Sequence, residues 1–235
     1  MNADLHRLMA GIDAILLDFD GPVCSVFAGY PAPRVAAELV DVLRKQGVDV
    51  PSDLAIEPDP LEVLRRTGAA GDQAVTQAVE DALCEAERHA VETAEPTPYG
   101  REVIVAARQA GVPVAVVSNN SAGAVKAYLT SHRLAAYVSP VIGRAYADPD
   151  RMKPNPEPIL QAVRALNNAA SRCVLIGDSV SDIDGARTAG VQVIGYANRP
   201  SKIKALRAAG ANAVIGSMSE IAGILMDRAN GCKVD

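Results

Sequence analysis

Aromatic residues are scarce in this 235-residue chain, which contains no tryptophan and only 3% aromatic residues in total. Proteins that bind single-stranded nucleic acids stack the bases on aromatic rings, and proteins that bind the phosphate backbone present a basic surface. The net charge of this chain is −5 at pH 7. We therefore expect no nucleic-acid partner, and we expect any recognition of phosphate to be local.

Cysteines and long apolar runs are also rare. The cysteines are far apart and show no C-x-x-C spacing, which favours a reduced, cytoplasmic protein. Residues 1–10 lack the layout of a signal peptide, and no apolar run approaches the length of a membrane span, so we expect no membrane partner. The sequence leaves the oligomeric state open. The cysteines are Cys24, Cys84, Cys173 and Cys232.

One stretch, residues 12–21, combines an apolar run with two acids and a glycine. The run ends in Asp18-Phe19-Asp20-Gly21, and a short apolar run bounded by a turn is typical of a strand buried on both faces. Alternate residues of an extended chain point the same way, so Asp18 and Asp20 should converge while Phe19 points away. Two carboxylates this close repel each other unless a proton or a cation lies between them.

The rest of the chain shows two different sequence patterns. Residues 24–96 predict helices and no convincing strand, with helices expected from about residue 33 to 46, after Pro60 to Gly68, and between 72 and 92. From Gly100 onwards, short apolar strands alternate with helices, which is typical of a parallel sheet covered on both faces. We therefore predict an α/β protein: a doubly wound, Rossmann-like parallel sheet core of residues 1–23 and 97–235, with an inserted all-helical cap domain of residues 24–96.

Further polar residues follow the later predicted strands or precede a helix. Ser118 and Asn119 end one strand, Lys153 lies in a loop before a helix, and Asp178 ends another strand with Asp182 four residues on. Ligands of doubly wound sheets lie beyond the carboxyl ends of the strands, so these groups should meet Asp18 and Asp20 at one rim. Carboxylate ligands in small number suit Mg²⁺, which also accepts phosphate oxygens.

Each of these residues also has an ordinary structural explanation. Ser118 and Asn119 are common helix-capping residues, a lysine before a proline is usually solvated, and Asp182 fits the first turn of a helix. Asp178 is harder to explain in this way, because an acid that ends a buried strand is costly unless it is paired or bound to a ligand. The conjunction of these residues in this order favours a functional site.

The order of these segments resembles the four motifs of the haloacid dehalogenase-like superfamily. The insert resembles the cap of its phosphoglycolate phosphatase-like and β-phosphoglucomutase-like branch. The resemblance covers nearly the whole chain, and it departs at Pro22, where the family usually has Thr or Val. The four segments are Asp18-Phe19-Asp20-Gly21, the apolar strand with Ser118-Asn119, Lys153-Pro154, and Gly177 to Asp182.

The resemblance implies a mechanism. Asp18 is expected to attack phosphorus and to form an aspartyl-phosphate, while Asp20 acts as general acid and then as general base. Ser118, the amide of Asn119 and Lys153 are expected to bind the phosphate oxygens. The resemblance also implies a Mg²⁺ ion bound by Asp18, the main-chain carbonyl of Asp20, and Asp178, with Asp182 as ligand or support. We thus expect a Mg²⁺-dependent phosphatase acting on a small phosphorylated metabolite.

Alternatives remain open. A phosphomutase of the β-phosphoglucomutase type would share every core motif, and a phospho-accepting regulatory domain or a non-catalytic binding protein would share the fold. Substrate selection is expected to lie in the cap, where Arg34, Arg65 and Arg66 are candidates for contacting a second anionic group. Exposed helix arginines are the more common explanation for each of them.

Overall fold

A computed structural model describes residues 3–231 of the chain. Its elements alternate between strands and helices after residue 100 and are helical between residues 32 and 90. In chain order they are α1 (Ala3–Ala10), β1 (Ala14–Leu17), β2 (Cys24–Ser25), α2 (Ala32–Lys45), α3 (Pro60–Ala69), α4 (Gln73–Ala90), β3 (Glu95–Pro96), α5 (Gly100–Gln109), β4 (Val114–Val117), α6 (Ala122–Ser131), β5 (Val138–Ile142), α7 (Glu157–Ala165), β6 (Cys173–Gly177), α8 (Val180–Thr188), β7 (Gln192–Tyr196), α9 (Lys202–Ala208), β8 (Ala213–Ile215) and α10 (Ser219–Gly231).

The central sheet has the strand order β5-β4-β1-β6-β7-β8, and every neighbouring pair is parallel. The chain leaves β1 for β4 and β5 on one side and then crosses to β6 on the other, so the topological switch lies at β1. Leu17 pairs with Val116 of β4 and with Ile176 of β6. This register brings the carboxyl ends of the three strands together, and the predicted doubly wound α/β fold is confirmed.

Successive residues of β1 face opposite sides of the sheet. Ile15 and Leu17 belong to one buried apolar cluster, and Ala14 and Leu16 belong to another. This explains why the strand is a continuous apolar run in the sequence, since helices cover both faces of a parallel sheet. Apolar burial on both sides therefore fixes the strand whose end carries the acids.

The three helices predicted between residues 24 and 96 are present, and we call residues 32–90 the helical insert. Asp59 and Asp72 cap two of these helices: Oδ1 of Asp59 accepts from the Leu61 N–H at 2.9 Å, and Oδ1 of Asp72 accepts from the Ala74 N–H at 3.0 Å. The insert has its own buried apolar cluster, which includes Leu39, Leu64, Leu83 and Met152 of the following segment. The predicted boundaries of a cap domain at residues 24 and 96 stay a prediction.

Two features of the fold differ from the sequence-based expectations. Helix α1 was not predicted, although Leu5, Leu8 and Met9 follow a helical spacing and are buried against the sheet. A two-residue antiparallel pairing of Cys24 with Pro96 and Ser25 with Glu95 joins the two segments that lead into and out of the insert. Such short strands carry no apolar alternation, so a sequence pattern could not show them.

The described cysteines agree with the sequence-based expectation of unpaired thiols. Cys24, Cys84 and Cys173 are free, and Cys173 is buried among apolar residues. Cys232 lies outside the described residues. Within residues 3–231, no helix is both long enough and apolar enough to cross a bilayer.

Candidate active site

A cavity of about 440 Å³ lies at the carboxyl ends of β1, β4 and β6, facing the helical insert. The structure brings all of the predicted site residues together around this cavity. The insert contributes Pro60, Leu61 and Arg65 to the opposite wall. The predicted residues that line the cavity are Asp18, Asp20, Ser118, Asn119, Lys153, Asp178 and Asp182.

The turn after β1 presents two carboxylates to this cavity. Phe19 points the other way and is fully buried in the apolar core. The main-chain N–H of Phe19 donates to Oδ1 of Asp18 at 2.7 Å, and that of Val26 donates to Oδ1 of Asp20 at 2.9 Å. Gly21 then turns with φ of +108°, where a Cβ atom would lie 2.5 Å from Cγ of Asp178. The glycine is therefore required both by the backbone conformation and by the close approach of Asp178.

Lys153 is buried, with only 2% of its side chain exposed. Its ammonium group lies 2.9 Å from Oδ1 of Asp18 and 2.6 Å from Oδ1 of Asp182, and it donates to the carbonyl of Val117 at 2.7 Å. Burial lowers the pKa of Lys153, but the charges of Asp18 and Asp182 outweigh burial and raise this pKa above its usual value. The ordinary explanation of Lys153 as a solvated surface lysine is therefore wrong.

Asp182 is held by the first turn of α8. Ser179 caps this helix: its hydroxyl accepts from the Asp182 N–H at 3.2 Å, and the Ser179 N–H donates to Oδ2 of Asp182 at 3.1 Å. A Cβ atom on Gly177 would lie 2.4 Å from Cγ of Asp182. Glycine at the end of β6 thus lets the carboxylate pack against the strand. Oδ2 of Asp182 is used by the cap, while Oδ1 faces Lys153.

The buried acids interact strongly with one another. Burial and then the negative charge of Asp182 raise the pKa of Asp18 to about 8, and burial raises the pKa of Asp20 to about 6. Burial also raises the pKa of Asp178, although the nearby Lys202 ammonium, 2.5 Å from its Oδ2, acts in the opposite direction. Without additional positive charge, these carboxylates cannot all ionise readily at neutral pH.

The same acids fit a divalent cation. Asp18, Asp178 and Asp182 each offer a carboxylate oxygen, and these oxygens all lie within 4.8 Å of one another. Oxygen ligands of this kind and in this small number suit Mg²⁺. Of the three acids, Asp18 and Asp178 are the better placed to bind an ion, because both oxygens of Asp182 already contact Ser179 and Lys153.

The loop after β4 is tied to the loop that carries Lys153. The Asn119 side chain accepts from the Lys153 N–H at 2.8 Å and donates to the Lys153 carbonyl at 3.1 Å. The next residue, Asn120, supports the hydroxyl of Ser118, which donates to Oδ1 of Asn120 at 3.2 Å and accepts from the Asn120 N–H at 3.1 Å. Two neighbouring asparagines thus fix the positions of Ser118 and Lys153.

Sequence reasoning missed several residues of the site. Asn120 and Lys202 belong to no sequence motif that would indicate a role in the site. Ser179 could have been identified from the sequence, because it forms a helix-capping box with Asp182. Of the three arginine candidates, the cavity lining includes Arg65. Arg65 lies 3.6 Å from Glu62 and donates to the Lys153 carbonyl at 3.3 Å. Arg34 pairs with Glu38, and Arg66 pairs with Asp53.

Comparisons with known proteins bear on the family and the fold of this chain. The family model described as haloacid dehalogenase-like hydrolase matches residues 12–190. A phosphoglycolate phosphatase of Caulobacter vibrioides is 33% identical over 130 residues, which are 54% of this chain and 52% of that protein. The putative pyrophosphatase PpaX of Caldanaerobacter subterraneus is 31% identical over 94 residues, which are 40% of this chain and 42% of that protein. The chain thus spans about half or less of the length of these curated relatives.

A likeness to solved structures extends over more of the chain. The structure of a predicted phosphatase from Clostridium acetobutylicum superposes with a TM-score of 0.69, covers 92% of this chain and 99% of that chain, and is 19% identical. At this identity the likeness shows a shared fold, which includes the helical insert as well as the sheet.

Proposed function

Because the chain belongs to the haloacid dehalogenase-like hydrolase family, we propose that it is a Mg²⁺-dependent phosphatase that hydrolyses a small phosphomonoester through an aspartyl-phosphate intermediate. The observation that carries the proposal is the buried convergence of Asp18 with Lys153, Asp178 and Asp182 beside a cavity. A carboxylate is an effective nucleophile towards phosphorus when cationic groups offset the repulsion between two anions.

In the first step, a carboxylate oxygen of Asp18 forms a bond to phosphorus as the bond to the ester oxygen breaks. Asp20 gives its proton to the leaving oxygen, which suits a carboxyl group whose pKa is raised to about 6. The N–H of Val26 holds Oδ1 of Asp20, so Oδ2 is the oxygen we assign to proton transfer. In the second step, Asp20 takes a proton from the water that attacks the aspartyl-phosphate, and phosphate leaves.

Cationic and polar groups of the chain bind the transferred phosphoryl group. We assign Ser118, the main-chain amide of Asn119 and Lys153 to its oxygens, where the charge of the transition state is spread. When bound by Asp18, the main-chain carbonyl of Asp20 and Asp178, with Asp182 in support, Mg²⁺ supplies the charge that screens the nucleophile from the phosphate. Lys153 also keeps the buried Asp18 and Asp182 side chains at a fixed separation, since it contacts both.

We further propose that residues 24–96 act as the cap that selects the leaving group. Three observations support this: the insert forms the wall opposite the acids, the cavity volume of about 440 Å³ suits a small metabolite, and Arg65 is the insert arginine on that wall. A guanidinium group in this position favours an ester with a second anionic group, and phosphoglycolate, which the Caulobacter relative is named for, is one such ester.

The test is phosphate release from p-nitrophenyl phosphate and from a panel of glycolate, sugar and nucleotide phosphates in the presence of Mg²⁺. Asp18→Asn should lower kcat by roughly a thousandfold or more, because it removes the nucleophile. Asp184→Asn is the matched control, since Asp184 is an exposed acid of the nearby helix α8 and should leave the rate unchanged. Full activity of Asp18→Asn would refute the assignment of the nucleophile, and activity that is indifferent to EDTA would refute the role of the metal.

A further inference from the structure

A buried ion-pair cluster, which the proposed mechanism does not use, joins the helical insert to the sheet. Arg144 lies just after β5, while Glu80 and Glu87 lie two turns apart on α4. Arg144 Nη2 is 2.7 Å from Oε1 of Glu80, and Arg144 Nη1 is 2.8 Å from Oε1 of Glu87. The side chains of Arg144 and Glu87 are fully buried, and that of Glu80 is 2% exposed.

The cluster contains two carboxylates for one guanidinium, so further donors must complete it. Burying an unpaired charge is costly, and buried ion pairs stabilise a protein only when the remaining hydrogen-bonding groups are satisfied. The thiol of Cys84 donates to Oε1 of Glu80 at 3.1 Å. The Asn120 side chain donates to Oε1 of Glu87 at 3.1 Å, and the Ser121 N–H donates to Oε2 of Glu87 at 2.8 Å. The loop after β4 therefore completes the coordination of Glu87.

This loop is the one that carries Ser118, and the cluster fixes its backbone as well. Nη1 of Arg144 donates to the carbonyl of Asn119 at 2.6 Å, and the Arg144 N–H donates to the carbonyl of Asn120 at 2.9 Å. Since the amide nitrogen of Asn120 donates to Glu87, its Oδ1 is turned towards Ser118 and accepts from that hydroxyl at 3.2 Å. Glu87 thus acts on the Ser118 hydroxyl through a single intervening side chain.

We propose that Glu87, held by Arg144, is a positioning residue for the phosphate-binding loop of residues 118–121. The inference rests on the proposed function, because it assumes that Ser118 and the Asn119 amide bind phosphate. Glu87 selects the orientation of the Asn120 amide, and Asn120 in turn orients the Ser118 hydroxyl. The insert therefore contributes to phosphate binding from α4, on the side of the loop away from the substrate.

Glu87→Gln tests this role with a side chain of the same shape. Glutamine has one acceptor oxygen, so its NH₂ group must face either the Asn120 NH₂ group or the Ser121 N–H. The first arrangement forces Asn120 to rotate and to turn its NH₂ group towards Ser118, and the second pushes the loop backbone away. Losing one satisfied buried hydrogen bond in this way should weaken binding of inorganic phosphate by about tenfold.

The matched control is Glu80→Gln, which removes one charge from the same cluster but contacts neither Asn120 nor Ser121. Isothermal titration with inorganic phosphate in the presence of Mg²⁺ measures the affinity without turnover, and thermal unfolding measures the damage to the fold. We expect both variants to lower Tm, while only Glu87→Gln weakens phosphate binding and raises KM for p-nitrophenyl phosphate. Equal phosphate affinity of Glu87→Gln and wild type, or equal weakening by both variants, would overturn the positioning role.

Asn120→Ala provides a second route if Glu87→Gln does not fold. It cuts the link between Glu87 and Ser118 and leaves the ion pairs with Arg144 in place, so the same loss of phosphate affinity is expected. Unchanged affinity in Asn120→Ala would also overturn the inference. Failure of the proposed function gives a different pattern, in which the wild-type protein itself neither binds phosphate nor hydrolyses any ester.

Discussion

Replacing Lys153 by methionine tests whether this residue offsets the charge of the buried acids. Methionine keeps the length and apolar stem of the side chain and removes the ammonium group. Asp18 and Asp182 then lose a partner that lies 2.9 Å from one and 2.6 Å from the other. The environment of these acids is nearly dry, because the Asp182 side chain is fully buried and the Asp18 side chain is 10% exposed.

The expected loss of stability follows from this burial. Removing one partner of a buried ion pair costs about 3–5 kcal/mol, because it leaves an uncompensated charge. In a chain of this size, that loss should lower Tm by roughly 6–20 °C. The loss should be smaller at acid pH. Without Lys153 the pKa of Asp18, already raised to about 8 by burial and by Asp182, rises further, so the folded variant takes up protons that the unfolded chain has released.

Lys202→Met is the matched control, since Lys202 pairs with another acid of the site, Asp178, at 2.5 Å. Its side chain is 29% exposed, so water screens the pair and the expected loss is about 1 kcal/mol. Urea unfolding of both variants at about pH 8 without divalent cations gives the two free energies of unfolding. Adding Asp18→Asn to Lys153→Met should restore part of the lost stability, because the double variant no longer has a buried acid at position 18 that must be either protonated or left unpaired. A Lys153→Met variant within about 1 kcal/mol of wild type, or no more damaged than Lys202→Met, would refute the reasoning.

Further predictions concern the metal, the glycine at the end of β6 and the insert. Burial and acidic neighbours raise the pKa of Asp18 to about 8 and of Asp20 to about 6, from 3.8. The metal-free protein should therefore lose stability as pH rises from about 4 to about 8, because the unfolded chain releases these protons first. The rise in Tm on adding Mg²⁺ should be larger at pH 8 than at pH 5. A rise in Tm that does not depend on pH would contradict this prediction. Gly177→Ala places Cβ 2.4 Å from Cγ of Asp182 and should lower the free energy of unfolding by about 1–3 kcal/mol. Gly223→Ala is the control: its Cβ would enter open space on the exposed face of α10, so the free energy of unfolding should rise by about 0.5–1 kcal/mol. Arg65→Ala should lower kcat/KM for phosphoglycolate about tenfold relative to kcat/KM for p-nitrophenyl phosphate. Arg66→Ala removes a partner of Asp53 outside the cavity and should leave this ratio unchanged. Equal effects of the two variants would contradict a role of Arg65 in substrate selection.

The position of the acids at the sheet edge could be predicted because it depends on the local sequence of each strand. Asp18 and Asp178 each follow a short apolar run, and the carboxyl ends of parallel strands meet at one edge of the sheet. Pairing of Leu17 with Ile176 then places these two acids side by side. Nothing in the local sequence shows that the ammonium group of Lys153 is buried against Asp18, because that contact spans 135 residues. The sequence predicts proximity at the rim, and tertiary packing decides which groups pair.

Other features escaped prediction for a related reason. Glu80 and Glu87 lie on one face of α4, and acids on a helix are usually solvated. Their burial depends on Arg144, which is 64 residues from Glu80 and 57 residues from Glu87. The full length of strand β5 is also hidden in the sequence, because Pro140 interrupts its apolar pattern. Proline is tolerated there since β5 is an edge strand.

The charges around the cavity give a physical reason for the proposed metal dependence. Among the described residues at the sheet rim, Asp18, Asp20, Asp178 and Asp182 face only two ammonium groups, those of Lys153 and Lys202. On the insert wall, the charges of Asp59 and Arg65 cancel. A phosphate dianion that enters this site meets an excess of negative charge, so binding requires either protonated acids or an added cation. Protonating Asp18 would remove the proposed nucleophile, whereas a divalent cation held by Asp18 and Asp178 would allow the site to bind phosphate while Asp18 stays ionised.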